Sequence, residues 1–90
     1  MNVIEVQIIN KLGLHARAAT QLVKICAKYQ CDIEVYIEEE KKVNGKSIIG
    51  LLTLAAKQGS LLKIQAIGDQ SGECLVEIKK LITNKFGEPM

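Results

Sequence analysis

The sequence predicts an α+β fold, an open-faced sandwich in which a small sheet is covered on one face by helices. Three observations predict it: short segments of alternating apolar and polar residues, stretches with apolar residues at helical spacing, and their interleaving within 90 residues. The order is strand, helix, strand, strand, short helix, strand, helix. With no internal repeat and no linker, residues 1–90 read as one domain around a single modest core.

The first strand is placed at about Val3 to Ile9, where Ile4, Val6 and Ile8 alternate with Glu5 and Gln7. A helix over about Ala16 to Lys28 follows. Ala19, Leu22, Val23, Cys26 and Ala27 form its apolar face, and Arg17, Gln21, Lys24 and Lys28 its solvated one. "CDIEVYI" alternates again, with Cys31, Ile33, Val35 and Ile37 on one side, and "EEEKK" reverses the chain into a short strand around Lys41 to Val43. The reversal has neither Asn nor Gly at its tip, so the hairpin geometry around Glu38 to Lys42 stays open.

"NGKS" joins a turn dipeptide to Ser47, a residue suited to capping a helix, and "SIIGLLTLAA" stops before Gly59. The apolar residues of this short helix split into two stripes. Leu51, Leu54 and Ala55 form one, and Ile48, Ile49 and Leu52 the other. That is too wide for one buried face, so the second stripe is expected to stay exposed. "LLKIQAI" supplies the last strand. Asp69 or Ser71 is placed as the cap of a final helix carrying Cys74, Leu75, Ile78, Leu81 and Ile82.

Composition removes several function classes. Aromatic residues make up 3% of the chain and Tyr29, Tyr36 and Phe86 are scattered, which argues against base-stacking nucleic-acid modules. The net charge of +2 is mild, so partner preference must come from local arrangement. Cys26, Cys31 and Cys74 are odd in number and lack CxxC spacing, and a second histidine is missing, so no metal or other cofactor is expected. Free thiols, no basic leader and no long apolar run together point to a reduced cytoplasm and no membrane association.

"GLHARAAT" concentrates the chemistry, placing the single histidine two residues before an arginine. Gly13 suits a turn, and the helix begins just beyond it, so His15 falls at or beside the helix N-cap. The first backbone N–H groups there, those of Ala16, Arg17 and Ala18, lack helical acceptors and together with the helix dipole favour a phosphate. A neutral imidazole is a nucleophile, and Arg17 carries a planar fork of donors matched to phosphoryl oxygens. The plainer alternatives stand beside this. His15 can be an incidental polar residue at a helix start, Arg17, Lys24 and Lys28 only a solvated face, and Ile48, Ile49 and Leu52 part of the core.

"NKLGLHARAAT" followed by "VNGKSIIGLLTLAAKQGS" resembles the HPr family, the phosphocarriers of the bacterial phosphoenolpyruvate-dependent phosphotransferase system, over nearly the whole chain including "NKFGE". The resemblance implies a four-stranded antiparallel sheet under three helices. It implies that His15 accepts a phosphoryl group on Nδ1 from phospho-enzyme I, that Arg17 assists, and that a IIA domain receives the group. Ser47 matches the family's regulatory serine, modified from ATP by HPr kinase/phosphorylase where that enzyme exists. Two departures stand out. Ala18 replaces the proline usual after the arginine, which restores an N–H in the first turn. About one extra residue lies between the motifs, placed in the "EEE" reversal, where an exposed tip absorbs it.

The implied mechanism is a transient phosphohistidine made and used within partner complexes, so the chain is a carrier and not a stand-alone enzyme. Ile48, Ile49 and Leu52 beside Thr20, Arg17 and Lys24 give an apolar centre with a basic rim, suited to an acidic partner face. A monomer is expected. The competing reading is a chiefly regulatory protein, of nitrogen or catabolite-control type, in which Ser47 controls docking and sugar transport is absent.

Overall fold

The computed structural model describes residues 1–90 and contains β1 (Asn2–Gln7), α1 (Ala16–Ala27), β2 (Cys31–Tyr36), β3 (Val43–Asn44), α2 (Ile48–Thr53), β4 (Leu61–Gly68) and α3 (Ser71–Thr83). The four strands form one antiparallel sheet in the order β1-β4-β2-β3. β4 therefore lies in the middle, paired Ile4 to Ile64 on one side and Val35 to Ile64 on the other. No helix is long and apolar enough to cross a membrane.

Alternation sends Val6, Ile8, Ile33, Val35, Leu62, Ile64 and Ala66 to one face, where they meet Leu22 of α1, Leu51 of α2 and Ile78 and Ile82 of α3. Each fully buried aliphatic side chain here stabilises the fold by about 1.5–3 kcal/mol relative to exposure. α3 lies along β1 and β4, and α1 packs against both α2 and α3, so all three helices share one side of the sheet. Glu77 of α3 ties to α1 through Lys28 and to Tyr29 just beyond it.

Several boundaries differ from expectation for identifiable reasons. β1 ends at Gln7, although Ile8 still donates to the Ser60 carbonyl and accepts from the Gly59 amide at 2.8 and 2.7 Å as the strands splay into a turn. α1 ends at Ala27, with Lys28 as its C-cap, and Ala27 is exposed because the α2 and α3 contacts fall on the Leu22–Cys26 side. β2 ends at Tyr36, leaving Ile37 as the first residue of the reversal. β3 is Val43–Asn44 and not Lys41–Val43, because only Val43 and Asn44 lie opposite Val35 and Glu34. α2 stops at Thr53, and Ala55, expected on its buried stripe, is exposed with φ 51°. Neither Asp69 nor Ser71 caps α3. Gln70 occupies the N-cap position in a left-handed conformation (φ 63°) without a capping side-chain hydrogen bond, while the Ser71 hydroxyl is turned to β1, where it accepts from Asn2 Nδ2 at 2.8 Å.

Candidate functional site

The loop from Asn10 to Leu14 sets where α1 begins. Gly13 has φ 69°, a conformation that a Cβ atom disfavours, and its amide donates to the Asn10 carbonyl. Leu14 is buried and donates from its amide to the Ala56 carbonyl at 2.9 Å, pinning the turn to the segment after α2. Asn10 is fully buried, and its Nδ2 donates to the Gly13 carbonyl at 2.9 Å. A short polar loop is thereby fixed from both sides.

His15 emerges from this loop as the N-cap residue of α1, with extended backbone (φ −85°, ψ −179°) and a side chain that makes no capping hydrogen bond. The Ala19 amide donates to the His15 carbonyl at 2.8 Å and closes the first helical turn. The amides of Ala16, Arg17 and Ala18 precede that bond and have no helical acceptor, and no acidic side chain occupies the first turn. An anion is favoured there. Ala16 is exposed and Ala18 is fully buried, so position 18 turns a small side chain to the core.

Arg17 is exposed and forms no ion pair or side-chain hydrogen bond within the chain, leaving its guanidinium available to a ligand. Thr20, half-buried, donates its hydroxyl to the Ala16 carbonyl at 2.8 Å, and Lys24 is exposed in the last turn. On the neighbouring α2, Ser47 is the N-cap and its Oγ accepts from the Gly50 amide at 3.0 Å. Ile48, Ile49 and Leu52 are 37%, 78% and 39% exposed, whereas Leu51 is fully buried, as the two-stripe pattern of the helix requires. Because α1 and α2 pack together, the apolar stripe and the basic residues sit on adjoining elements. Leu12, 67% exposed and three residues before His15, adds an apolar side chain that helical and strand periodicity had no means of singling out.

The structure brings in one residue the sequence reading left out. Glu88 lies 73 positions from His15, yet its Oε2 pairs with His15 Nε2, while its Oε1 accepts from Asn10 Nδ2 at 2.8 Å. The hydrogen bond from His15 chiefly holds the Glu88 carboxyl below the usual range; burial opposes it, and Asn10 and the nearby Arg17 charge assist it. A carboxylate depressed in the folded state stabilises fully above its unfolded pKa, and that contribution fades as pH falls through the folded value.

The three cysteines are free and buried. Burial pushes the Cys26 thiol up to about 11 and the Cys74 thiol to about 12, so both are inert at neutral pH. No cluster of three or more His, Cys, Asp or Glu side chains is arranged to hold a metal. The five main surface depressions are lined without His15, Arg17 or Ser47. With Arg17 exposed and His15 half-buried, the site is open to solvent and can be covered by a docking protein.

The family model described as the PTS HPr component phosphorylation site matches residues 3–84. The phosphocarrier protein HPr of Pseudomonas aeruginosa is 43% identical over 88 residues, covering 98% of each chain. The phosphocarrier protein NPr of Shewanella violacea is 37% identical over 84 residues, covering 93% of this chain and 91% of its own. The crystal structure of HPr-C-His from Thermoanaerobacter tengcongensis superposes with a TM-score of 0.93 at 40% identity over 100% of both chains. An antiparallel four-stranded sheet under three helices, a histidine heading α1 and a family match across almost the full length lead to one conclusion: the chain belongs to the HPr family of phosphocarrier proteins.

Proposed function

We propose that the chain accepts a phosphoryl group on Nδ1 of His15 from phospho-enzyme I and passes it to IIA components of the phosphotransferase system. The observation that supports this reading most is the placement of His15. Its side chain is not spent on capping, its second ring nitrogen Nε2 is already engaged, and it stands directly ahead of three free helix amides. Arg17 neutralises the arriving and departing phosphoryl oxygens, and the partner supplies the remaining walls of the site. One copy suffices, since a single chain contributes all these groups. Thr20, Lys24, Ile48, Ile49 and Leu52 form the docking surface, and Ser47 is the position at which an HPr kinase/phosphorylase regulates it.

A second reading, regulation through a nitrogen-type relay, is favoured by the resemblance to a protein named NPr. Incubating the chain with enzyme I and phosphoenolpyruvate, then adding sugar-type or nitrogen-type IIA proteins, separates the two. The expected result is an acid-labile mass increase of one phosphoryl group, discharged faster by one IIA class, which identifies the relay. No mass increase contradicts both readings.

Arg17→Ala is expected to leave stability within about 0.5 kcal/mol, since the side chain is exposed and makes no ion pair or hydrogen bond within the chain. Transfer from enzyme I is expected to slow about a hundredfold, the usual loss when one donor to a developing oxyanion is removed. Rapid-quench measurement in both directions checks this, and unchanged rates remove Arg17 from the mechanism.

A further inference from the structure

We infer that Glu88 is a positioning residue for His15: its carboxylate accepts the Nε2–H and so holds the imidazole in the tautomer whose lone pair lies on Nδ1. The inference rests on the reading of His15 as phosphoacceptor and adds a residue from the opposite end of the chain.

The geometry of the segment after α3 points this way. Lys85 and Phe86 take left-handed backbone conformations (φ 57° and 54°), followed by Gly87 at φ 78°. Left-handed conformations in two successive residues with side chains are unfavourable. The strain is held in place by Phe86, which is 3% exposed and belongs to the core cluster, and by the Gly87 and Glu88 amides, which donate to Asn84 and Lys85 carbonyls at 2.9 Å. Beyond Glu88, the Met90 carbonyl accepts from the Lys11 amide at 2.9 Å, fastening the strap to the loop that precedes His15. Glu88 is therefore anchored on both sides, and its side chain is only 12% exposed against 28% for His15.

Asn10 completes the arrangement. Its Nδ2 is shared between the Gly13 carbonyl and Glu88 Oε1, so the residue that braces the turn before His15 also aims the carboxylate at the ring. A carboxylate accepts hydrogen bonds and donates none, so a bond between Glu88 and Nε2 requires the proton to be on Nε2. In the neutral ring Nδ1 is then the unprotonated nitrogen. In the transfer step the Nδ1 lone pair forms a bond to phosphorus, the phosphorus–nitrogen bond of the donor phosphohistidine breaks, and its electron pair returns to the donor nitrogen. The Nε2 proton stays in place, and the positive charge that develops on the His15 ring lies against the Glu88 carboxylate. Arg17 serves the phosphoryl oxygens and Glu88 serves the ring, so the two charges assist opposite ends of the same bond.

Nitrogen-15 NMR of His15 at about pH 8, where an ordinary imidazole is neutral, combined with phosphotransfer kinetics from enzyme I, tests the inference on the full chain. In the unmodified protein the spectrum is expected to show the Nε2–H tautomer almost alone. Glu88→Ala is expected to raise the Nδ1–H share measurably and to lower the maximal transfer rate about 10- to 100-fold at unchanged half-saturation by the donor, by analogy with the loss of an orienting partner from a metal-bound histidine. Glu88→Gln keeps an oxygen that accepts from Nε2 but loses the charge, so it is expected to retain the tautomer and fall between the two in rate. A purely structural tail contact would lower the melting temperature and move neither readout. If Glu88→Ala folds and either readout stays at the unmodified value, the role of Glu88 is overturned. Absence of any labelling of unmodified protein overturns instead the assignment of His15 on which this role depends.

Discussion

Gly13→Ala is expected to destabilise the protein by about 2–4 kcal/mol, combining left-handed strain with overpacking. Gly13 has φ 69°, and a Cβ built there would stand 2.6 Å from the Ala56 carbonyl oxygen and 2.9 Å from the Lys57 Cα. Both are backbone atoms and cannot rotate aside. The close approach is imposed by the bond from the Leu14 amide to that same Ala56 carbonyl, with Leu14 buried beneath it. Relief requires the His15 loop to move away from the segment after α2, so phosphotransfer is expected to fall as well. Gly59 provides the control. Its φ is 94° but nothing lies within 4 Å of its virtual Cβ, so Gly59→Ala carries the strain without the clash and is expected to lose only about 1–2 kcal/mol. Urea denaturation of both variants, with a common slope, checks the ordering. Equal losses would mean that the Gly13 approach is not what fixes the loop.

Phosphorylation of Ser47 is expected to weaken enzyme I binding at least tenfold while leaving α2 folded. The modification adds about −1.5 to −2 charge. It does so at a helix N-cap with no acidic residue in the following turn, where the backbone tolerates an anion, and where the Gly50 amide already points at the Ser47 oxygen at 3.0 Å. The same charge stands beside the exposed Ile48, on the element adjoining Arg17 and Lys24. An acidic partner meets repulsion where it met an apolar centre and a basic rim, and association suffers more than structure. Titration of authentic phosphoserine protein and unmodified protein against enzyme I at fixed ionic strength, with circular dichroism on each, checks both halves. Equal affinities, or loss of helix in the modified form, contradict this picture.

Most of the fold was legible because period decides it. Ile4, Val6 and Ile8 alternate, Leu22 and Cys26 recur at helical spacing, and the two stripes of α2 cannot both be buried in six residues, so Ile49 stays in water. Local rules also placed His15 at the start of α1 and Ser47 at the start of α2. What escaped depends on tertiary contact. β3 slipped to Val43–Asn44 because pairing with β2, not sequence pattern, defines a two-residue strand. Gln70 stands at the N-cap position of α3 although Asp69 and Ser71 are the better capping residues, and the Ser71 hydroxyl is used by Asn2 of β1. Tyr36 sits on the polar side of β2 yet is buried, with Lys42 Nζ 5.0 Å from its ring. Glu88 was invisible for the strongest reason: it reaches His15 only after Lys85 and Phe86 take conformations that neither residue favours.

The most direct test of the phosphocarrier reading is to expose unmodified protein and His15→Ala to enzyme I and phosphoenolpyruvate, recording intact mass before and after brief acid treatment. His15 packs into no core cluster, and its side-chain contact is with Glu88, so the variant is expected to fold and to show the unmodified circular dichroism spectrum. The unmodified protein is expected to gain one phosphoryl group that acid removes, and His15→Ala to gain none. Labelling of the folded His15→Ala protein, or an acid-stable label on the unmodified one, would contradict the assignment of His15 as the residue that carries the phosphoryl group.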